Sequence, residues 1–266
     1  MEGPTGSRED GPMPQNEHLT TSRATVSGTA TTALITGAAR GIGLEVARQL
    51  ALTGVRVLIT ARDSRQAAEA ASPIEGVEPL PVDLDVTDPA AVEAAVEALI
   101  ARAGRLDILI NNAAASPDRT DTATGADLGA AADVLQVNLF GAWRMTQALL
   151  PLLRASDHPR IVNVGSGAGS HADERFGLSL MGGSAATHAV SKAALNAFTA
   201  VLAAELADTP VIVNVVCPGV TATAPGAEHL GARPVEASAP GVVWAATLPD
   251  DGPRGGFFRD FHPLGW

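Results

Sequence analysis

Short runs of consecutive apolar residues alternate along the chain with stretches in which apolar positions recur every three to four residues. Ala33-Leu34-Ile35 is the first such run and reads as a buried strand. Leu44, Val46, Ala47, Leu50 and Ala51 then share one face of a helix that begins near Gly41 and ends at Gly54. Residues 55–60 predict a second strand, residues 64–71 a short helix closed by Pro73, and residues 79–84 a third strand. Asp88 followed by Pro89 marks the start of a third helix, which Gly104 stops. Residues 106–110 predict a fourth strand, 127–153 one long helix, 161–164 a fifth strand, 184–207 an Ala-rich helix and 211–216 a sixth strand. Nearly continuous apolar strands alternating with helices imply the α/β class, with a single doubly wound parallel sheet covered by helices on both faces. In such a sheet ligands gather at the carboxyl ends of the strands, and the glycine-rich polar segments fall there.

Length and composition narrow this further. With 266 residues and 46% apolar content the chain suits one α/β domain, expected over residues 30–266. Residues 1–29, rich in Gly, Pro, Ser and Thr without an apolar centre, read as a disordered tail and not a signal peptide. Acidic side chains number 29 against 18 basic ones, a net charge of −11, which argues against a nucleic-acid or anionic-membrane surface. No window reaches the apolar length of a membrane span. The single cysteine, Cys217, excludes an internal disulfide and fits a cytoplasmic setting; at the end of an apolar run it reads as a buried inert thiol. The chain has no tyrosine.

Candidate chemistry begins where the first strand meets the first helix, in Thr36-Gly37-Ala38-Ala39-Arg40-Gly41-Ile42-Gly43. Three glycines on a strand-to-helix turn allow a tight turn, close approach of backbone N–H groups to a phosphate, and close packing of helix on strand. The spacing differs from that of a nucleoside-triphosphate loop, and no lysine follows. A tight turn in an unrelated α/β protein would use glycines in the same way.

Further along stand Asp85-Val86-Thr87, Asn111-Asn112-Ala113, Asn138, Ser166, His188-x-x-x-Lys192 and Pro218-Gly219. Taken in order with the glycine turn, this set resembles the short-chain dehydrogenase/reductase family, over about residues 31–266. The ending Gly255-Gly256-Phe257-Phe258-Arg259-Asp260 is similar to that of members close to carbonyl reductases. The resemblance implies a Rossmann-type nicotinamide dinucleotide site. It places Gly37, Gly41, Ile42 and Gly43 at the diphosphate, Asp85 and Val86 at the adenine, and Asn112 and Ala113 along the ribose path. Pro218, Gly219 and Thr221 would lie near the nicotinamide amide, and Lys192 on the nicotinamide ribose. Asp85 has a second reading, as the cap of a turn.

Discrimination between NAD and NADP falls at the end of the second strand, where an acidic side chain binds the ribose 2′-hydroxyl and repels a 2′-phosphate. That position reads Thr60-Ala61-Arg62, without the acid. Arg62 can meet a 2′-phosphate with a bidentate fork, and Arg40 can reach the same group. The expected cofactor is NADP(H). Pairing of Arg62 with Asp63 is the alternative.

The family's chemistry rests on Tyr-x-x-x-Lys, with a serine at the oxyanion and an asparagine that holds a water behind the lysine. Here His188 stands in the tyrosine position, beside Lys192, Ser166 and Asn138. Residues i and i+4 share a helix face, so His188 and Lys192 face one cleft. An imidazole titrates near pH 6.5, but an adjacent lysine cation disfavours imidazolium. Histidine either donates the proton or fills space in a site whose chemistry has changed. Ala114 replaces the glycine usual after Asn-Asn-Ala.

Twenty-one residues separate Ser166 from His188, more than in shorter members. This insert is expected to overhang the cleft with an apolar wall of Phe176, Leu178, Leu180 and Met181. His171, Asp173 and Glu174 within it read as a solvated loop, so no metal site is expected. The favoured function is NADP(H)-dependent reduction of a ketone or aldehyde on an apolar small molecule. Two alternatives stay open. One is a non-redox enzyme on this scaffold (a dehydratase, epimerase or cyclase) in which His188 moves a proton. The other is a non-enzymatic NADP(H)-binding regulatory module. By resemblance the two longest helices would form a homodimer or homotetramer, unless the insert covers that face.

Overall fold

The computed structural model describes residues 30–115, 120–180, 182–223 and 227–266. The expected tail at residues 1–29 and Met181 of the insert lie outside the described residues. The strands are β1 (Thr32–Ile35), β2 (Arg56–Ile59), β3 (Val77–Pro79), β4 (Ile108–Asn111), β5 (Arg160–Val164), β6 (Ile212–Val216), β7 (Phe257–Arg259) and β8 (His262–Pro263). They form one sheet in the order β3-β2-β1-β4-β5-β6-β7-β8. The order reverses between β1 and β4, which opens a crevice at the carboxyl ends of those strands.

Neighbouring residues of each central strand serve opposite faces. Leu34, Leu58 and Leu109 join one apolar cluster with Met145, Leu149, Leu195 and Phe198. Ile35, Ile59 and Ile110 join the other with Val46, Leu50, Val242 and Ala245. Burial on both faces is why these strands are continuous apolar runs. The helices covering them are α1 (Gly41–Leu52), α2 (Ser64–Ala71), α3 (Pro89–Ala103), α4 (Leu128–Leu135), α5 (Ala142–Arg154), α6 (Ala186–Glu205), α7 (Val235–Ser238) and α8 (Pro240–Ala246). Among the described residues no helix is long and apolar enough to cross a membrane.

Three expectations need correction. The third strand is not at residues 79–84 but at Val77–Pro79, where Val77 pairs with Val57. Pro79 and Pro81 supply no N–H, so the chain leaves the ladder there, as an edge strand can. The long helix is not uniform: a π-helical segment, Gln136–Gly141, joins α4 to α5. The sheet has two more strands than expected, and the last is antiparallel. β7 and β8 are too short for a periodicity signal, and their hairpin turns through Asp260 and Phe261 at φ +51° and +70°, conformations that no glycine announces.

Candidate active site and cofactor cradle

The glycine turn leaves the carboxyl end of β1 with Gly37 at φ +62° and Gly41 at φ +60°. A Cβ on Gly37 would come within 2.8 Å of the Ala113 Cα, and one on Gly43 would collide with the Asn112 amide. Only glycine admits this contact between the two sides of the crevice. Asn112 Nδ2 donates to the carbonyls of Thr36 and Gly37 at 2.9 and 3.0 Å. Thr36 Oγ1 accepts from the N–H groups of Asn112 and Ala113, both at 3.1 Å. Asn112 and Ala113 thus meet the glycine turn, and Thr36 is the hub between them, a role that no spacing in the sequence marks. Asp63, Asp88 and Asp127 cap α2, α3 and α4, whereas the Arg40 side chain makes no cap bond to α1. The first N–H groups of α1, from Gly41, Ile42 and Gly43, are left for an anion.

Arg40 and Arg62 are exposed, and neither forms an ion pair among the described residues. The pairing of Arg62 with Asp63 is not found, because the Asp63 carboxylate is held by Arg65 at 2.7 Å. Asp85 does cap a turn: its Oδ1 accepts from the Thr87 N–H at 2.8 Å and from the Thr87 hydroxyl at 2.7 Å. These bonds hold its carboxyl below the usual carboxylate range, with smaller help from the Arg62 and Arg144 cations.

On the other side of the crevice, Lys192 is only 5% exposed and its Nζ donates to the Val164 carbonyl at 2.9 Å. Burial lowers its pKa to about 8. Ser166 follows β5, and its Oγ accepts from the Ala168 N–H at 3.2 Å, which leaves the hydroxyl proton to donate outward. His188 lies in the first turn of α6, half-buried. That turn is capped from a distance by Asp121, whose Oδ2 accepts from the Thr187 N–H at 3.0 Å and whose carbonyl accepts from Ala186. Asn138 lies in the π-helical segment, a common feature of functional sites. Its Oδ1 accepts from the Ala115 N–H at 2.8 Å, and its Nδ2 donates to the Ala115 carbonyl and to Ser191 Oγ. Ser191 in turn donates to the His188 carbonyl at 2.8 Å. Asn138 therefore ties the loop after β4 to the His188 turn.

Pro218, Gly219 and Thr221 follow β6. Arg233 donates to the Pro218 carbonyl from Nε and Nη2, at 3.0 and 2.7 Å, and pairs with Asp260 at 2.7 Å. Thr221 Oγ1 donates toward the Gly219 carbonyl and bonds Ser238 Oγ at 2.8 Å. Cys217 is buried, and its sulfur accepts from the Gly167 and Gly219 N–H groups.

The insert after Ser166 differs from expectation. Asp173 is not solvated. Its carboxylate is buried against Gly167 and bonded by Arg259 of β7 at 2.6 Å. Burial alone would raise the Asp173 carboxyl, but the Arg175 N–H and the Arg259 guanidinium overcome it and hold the group below its usual range. The backbone of His171 and Ala172 donates to the Trp266 carbonyl. Phe176 does not offer a bare apolar wall, since Arg175 and Arg259 approach its ring at 5.2 and 5.9 Å. Leu178 is partly buried and Leu180 exposed. These partners lie up to 95 residues away, beyond any local sequence signal.

The uncapped α1 N-terminus, the Cβ-free cradle and the buried lysine fit a nicotinamide dinucleotide. A family model described as short chain dehydrogenase matches residues 31–231. Salutaridine reductase of Papaver bracteatum is 32% identical over 298 residues, spanning 87% of this chain and 94% of that protein. Short-chain dehydrogenase/reductase 1 of Saponaria officinalis is 34% identical over 283 residues, 85% of this chain and 93% of that one. Among solved structures, NADPH bound carbonyl reductase from chicken fatty liver is similar with a TM-score of 0.75 at 27% identity. It covers 89% of this chain and 99% of that one.

Proposed function

The chain belongs to the short chain dehydrogenase family, oxidoreductases that bind a nicotinamide cofactor, and from that premise we propose that it is an NADP(H)-dependent carbonyl reductase. Its substrate is a ketone or aldehyde on an apolar small molecule, and His188 takes the place of the proton donor. The observation that carries the cofactor choice is the exposed pair Arg40 and Arg62, with Ala61 where an acidic selector would stand. Two guanidinium groups favour a 2′-phosphate through charge-assisted, bidentate bonds.

Held by the glycine turn and Lys192, the nicotinamide cofactor would supply the hydride that the carbonyl carbon receives. Ser166 donates its hydroxyl proton to the developing oxyanion as a hydrogen bond. The alkoxide takes a proton from the imidazolium of His188, the minority form beside the Lys192 cation; the ring is left neutral and regains its proton from solvent. Lys192 would hold the nicotinamide ribose, and its charge beside the site favours the anionic transition state. Asn138 keeps the His188 turn in register through Ser191.

Two measurements test this. Wild type and Arg62→Ala are titrated with NADPH and NADH. NADPH is expected to bind more tightly, and loss of Arg62 to cost about 1.5–3 kcal/mol of that preference. Equal affinities in the wild type would sink the assignment. NADPH oxidation is then followed with a panel of apolar ketones across pH for wild type, His188→Ala and His188→Tyr. His188→Ala is expected to abolish turnover with NADPH binding intact. The wild-type rate is expected to fall as pH rises below neutrality, through an imidazole range lowered by the Lys192 cation, and not near the phenol range. A wild type inactive on every carbonyl beside an active His188→Tyr would leave the non-redox reading standing.

A further inference from the structure

The turn that carries Asp85 and Val86 is supported from behind by α5 and the π-helical segment. Gly141, the last residue of that segment, packs on Val86 so closely that a Cβ there would lie 2.5 Å from Val86 Cγ2. One turn on, at i+3 of the same face, Arg144 Nη1 donates to the Val86 carbonyl at 2.6 Å. The Val86 side chain is buried, and its carbonyl is consumed by Arg144. Its own N–H makes no hydrogen bond among the described residues. Asp85 is arranged in the same way: Thr87 takes Oδ1, and Oδ2 has no partner among the described residues. One N–H donor and one carboxylate acceptor are thus presented side by side on an exposed turn. The groups facing away from that edge are each tied down.

We propose that Arg144 is a positioning residue for the adenosine end of the cofactor, fixing the Val86–Thr87 peptide, whose N–H holds the Asp85 carboxylate, so that this carboxylate stays aligned with the Val86 N–H toward the base. This rests on the nicotinamide-dinucleotide reading of the site, but not on the choice between NAD and NADP. The physical case is one of preorganisation. The Val86 carbonyl shares its peptide plane with the Thr87 N–H that binds Asp85 Oδ1, while the plane carrying the Val86 N–H is held at the Asp85 carbonyl by the Asp88 N–H at 3.1 Å; with both planes fixed, the ordering cost falls before binding rather than upon it. The guanidinium also lies near enough to Asp85 to favour its carboxylate form. Gly141 is what lets α5 approach closely enough for the bond, and the extra residue of the π-helical turn carries Asn138 toward the His188 end of the same crevice. One short helical segment thus serves both ends of the cofactor cleft.

Fragments of the cofactor separate this role from a merely structural one, without any turnover. Wild type, Arg144→Met and Arg144→Lys are titrated calorimetrically with 2′,5′-ADP, 5′-ADP and reduced nicotinamide mononucleotide, and their melting curves are recorded. In Arg144→Met both adenosine fragments are expected to bind about tenfold more weakly. Arg144→Lys, which keeps one donor, is expected to recover part of that loss. The nicotinamide fragment is expected to stay within about twofold of wild type, the limit of an indirect effect. Adenosine fragments unaffected in Arg144→Met would overturn the proposal. So would a loss confined to 2′,5′-ADP, which would make Arg144 a phosphate ligand. Weakening of all three fragments in a variant with a depressed melting curve, not rescued by lysine, would reduce Arg144 to a brace of the fold. A wild type that binds the two adenosine fragments equally would remove the NADP preference alone, and the effect of Arg144 is then still read on both.

Discussion

Lys192 is the only lysine in the chain, and it is buried. Its ammonium has lost water, which lowers its pKa to about 8 from 10.5. Below pH 8 the folded protein carries the full cost of that buried charge, on the order of 3 kcal/mol. Between pH 8 and 10.5 the unfolded chain holds a proton that the folded chain has released, so stability rises with pH across that window. Lys192→Met is expected to raise the unfolding free energy at pH 7 and to flatten the rise above pH 8, as denaturant titrations at several pH values would read. Because the chain has a single lysine, a lysine-specific probe reads this group alone. A protein labelled with ¹⁵N only at lysine is expected to give one Nζ signal with a midpoint near 8, and a midpoint near 10.5 would refute the assignment. The spacing His188-x-x-x-Lys192 is legible in the sequence. That the lysine's acceptor is a carbonyl of β5, 28 residues away, is not.

Capping divides the elements in the same way. Asp88 and Pro89 announce α3 because cap and helix are adjacent, and Asp88 does accept from the Ala90 N–H at 2.9 Å. α6 begins at Ala186 after Ala185 in the left-handed region at φ +54°, with no local cap. Its first N–H groups go to Asp121, 66 residues earlier, so no local signal could have marked that residue. Asp121→Ala is expected to cost about 1 kcal/mol of stability, while Asp121→Asn keeps an acceptor oxygen and costs less. Because His188 rides on that turn, Asp121→Ala is also expected to lower turnover with NADPH affinity retained. Denaturant unfolding and cofactor titration of the two variants check this, and equal stability of both with wild type would refute it. The third strand is displaced for a related reason. Leu80 between Pro79 and Pro81 looks extended in the sequence, but pairing with β2 selects Val77–Pro79.

At the scale of the molecule, α5 and α6 leave an apolar face open. Phe140, Trp143, Val190 and Val201 are all exposed, and Trp143 stacks on Phe198 at 4.8 Å to join the two helices. Among its described residues, the insert is tied down elsewhere, at Arg259 and the Trp266 carbonyl. A homo-oligomer through α5 and α6 is therefore expected. Sedimentation equilibrium should return a mass of two or four chains, and Val201→Glu is expected to shift it toward one. A wild-type mass of one chain would refute the expectation.

The sequence by itself determined the alternation of strands and helices, the glycine turn, the place of the ligand crevice and the positions of Asn138, Ser166, His188 and Lys192. The alternation, the turn and the crevice are local patterns, set by side-chain periodicity and the freedom of glycine, whereas Asn138, Ser166, His188 and Lys192 stand out in the sequence through its resemblance to the family's ordered motifs. Only the tertiary structure decided the pairing of Asp173 with Arg259, the hold of Arg144 on Val86 and of Arg233 on Pro218, the docking of Trp266 on the insert and the two short strands at the sheet edge. These depend on which distant segments the sheet order brings together. A buried ion pair or a backbone carbonyl reached by an arginine leaves no periodic trace, because its two halves are chosen by proximity in space.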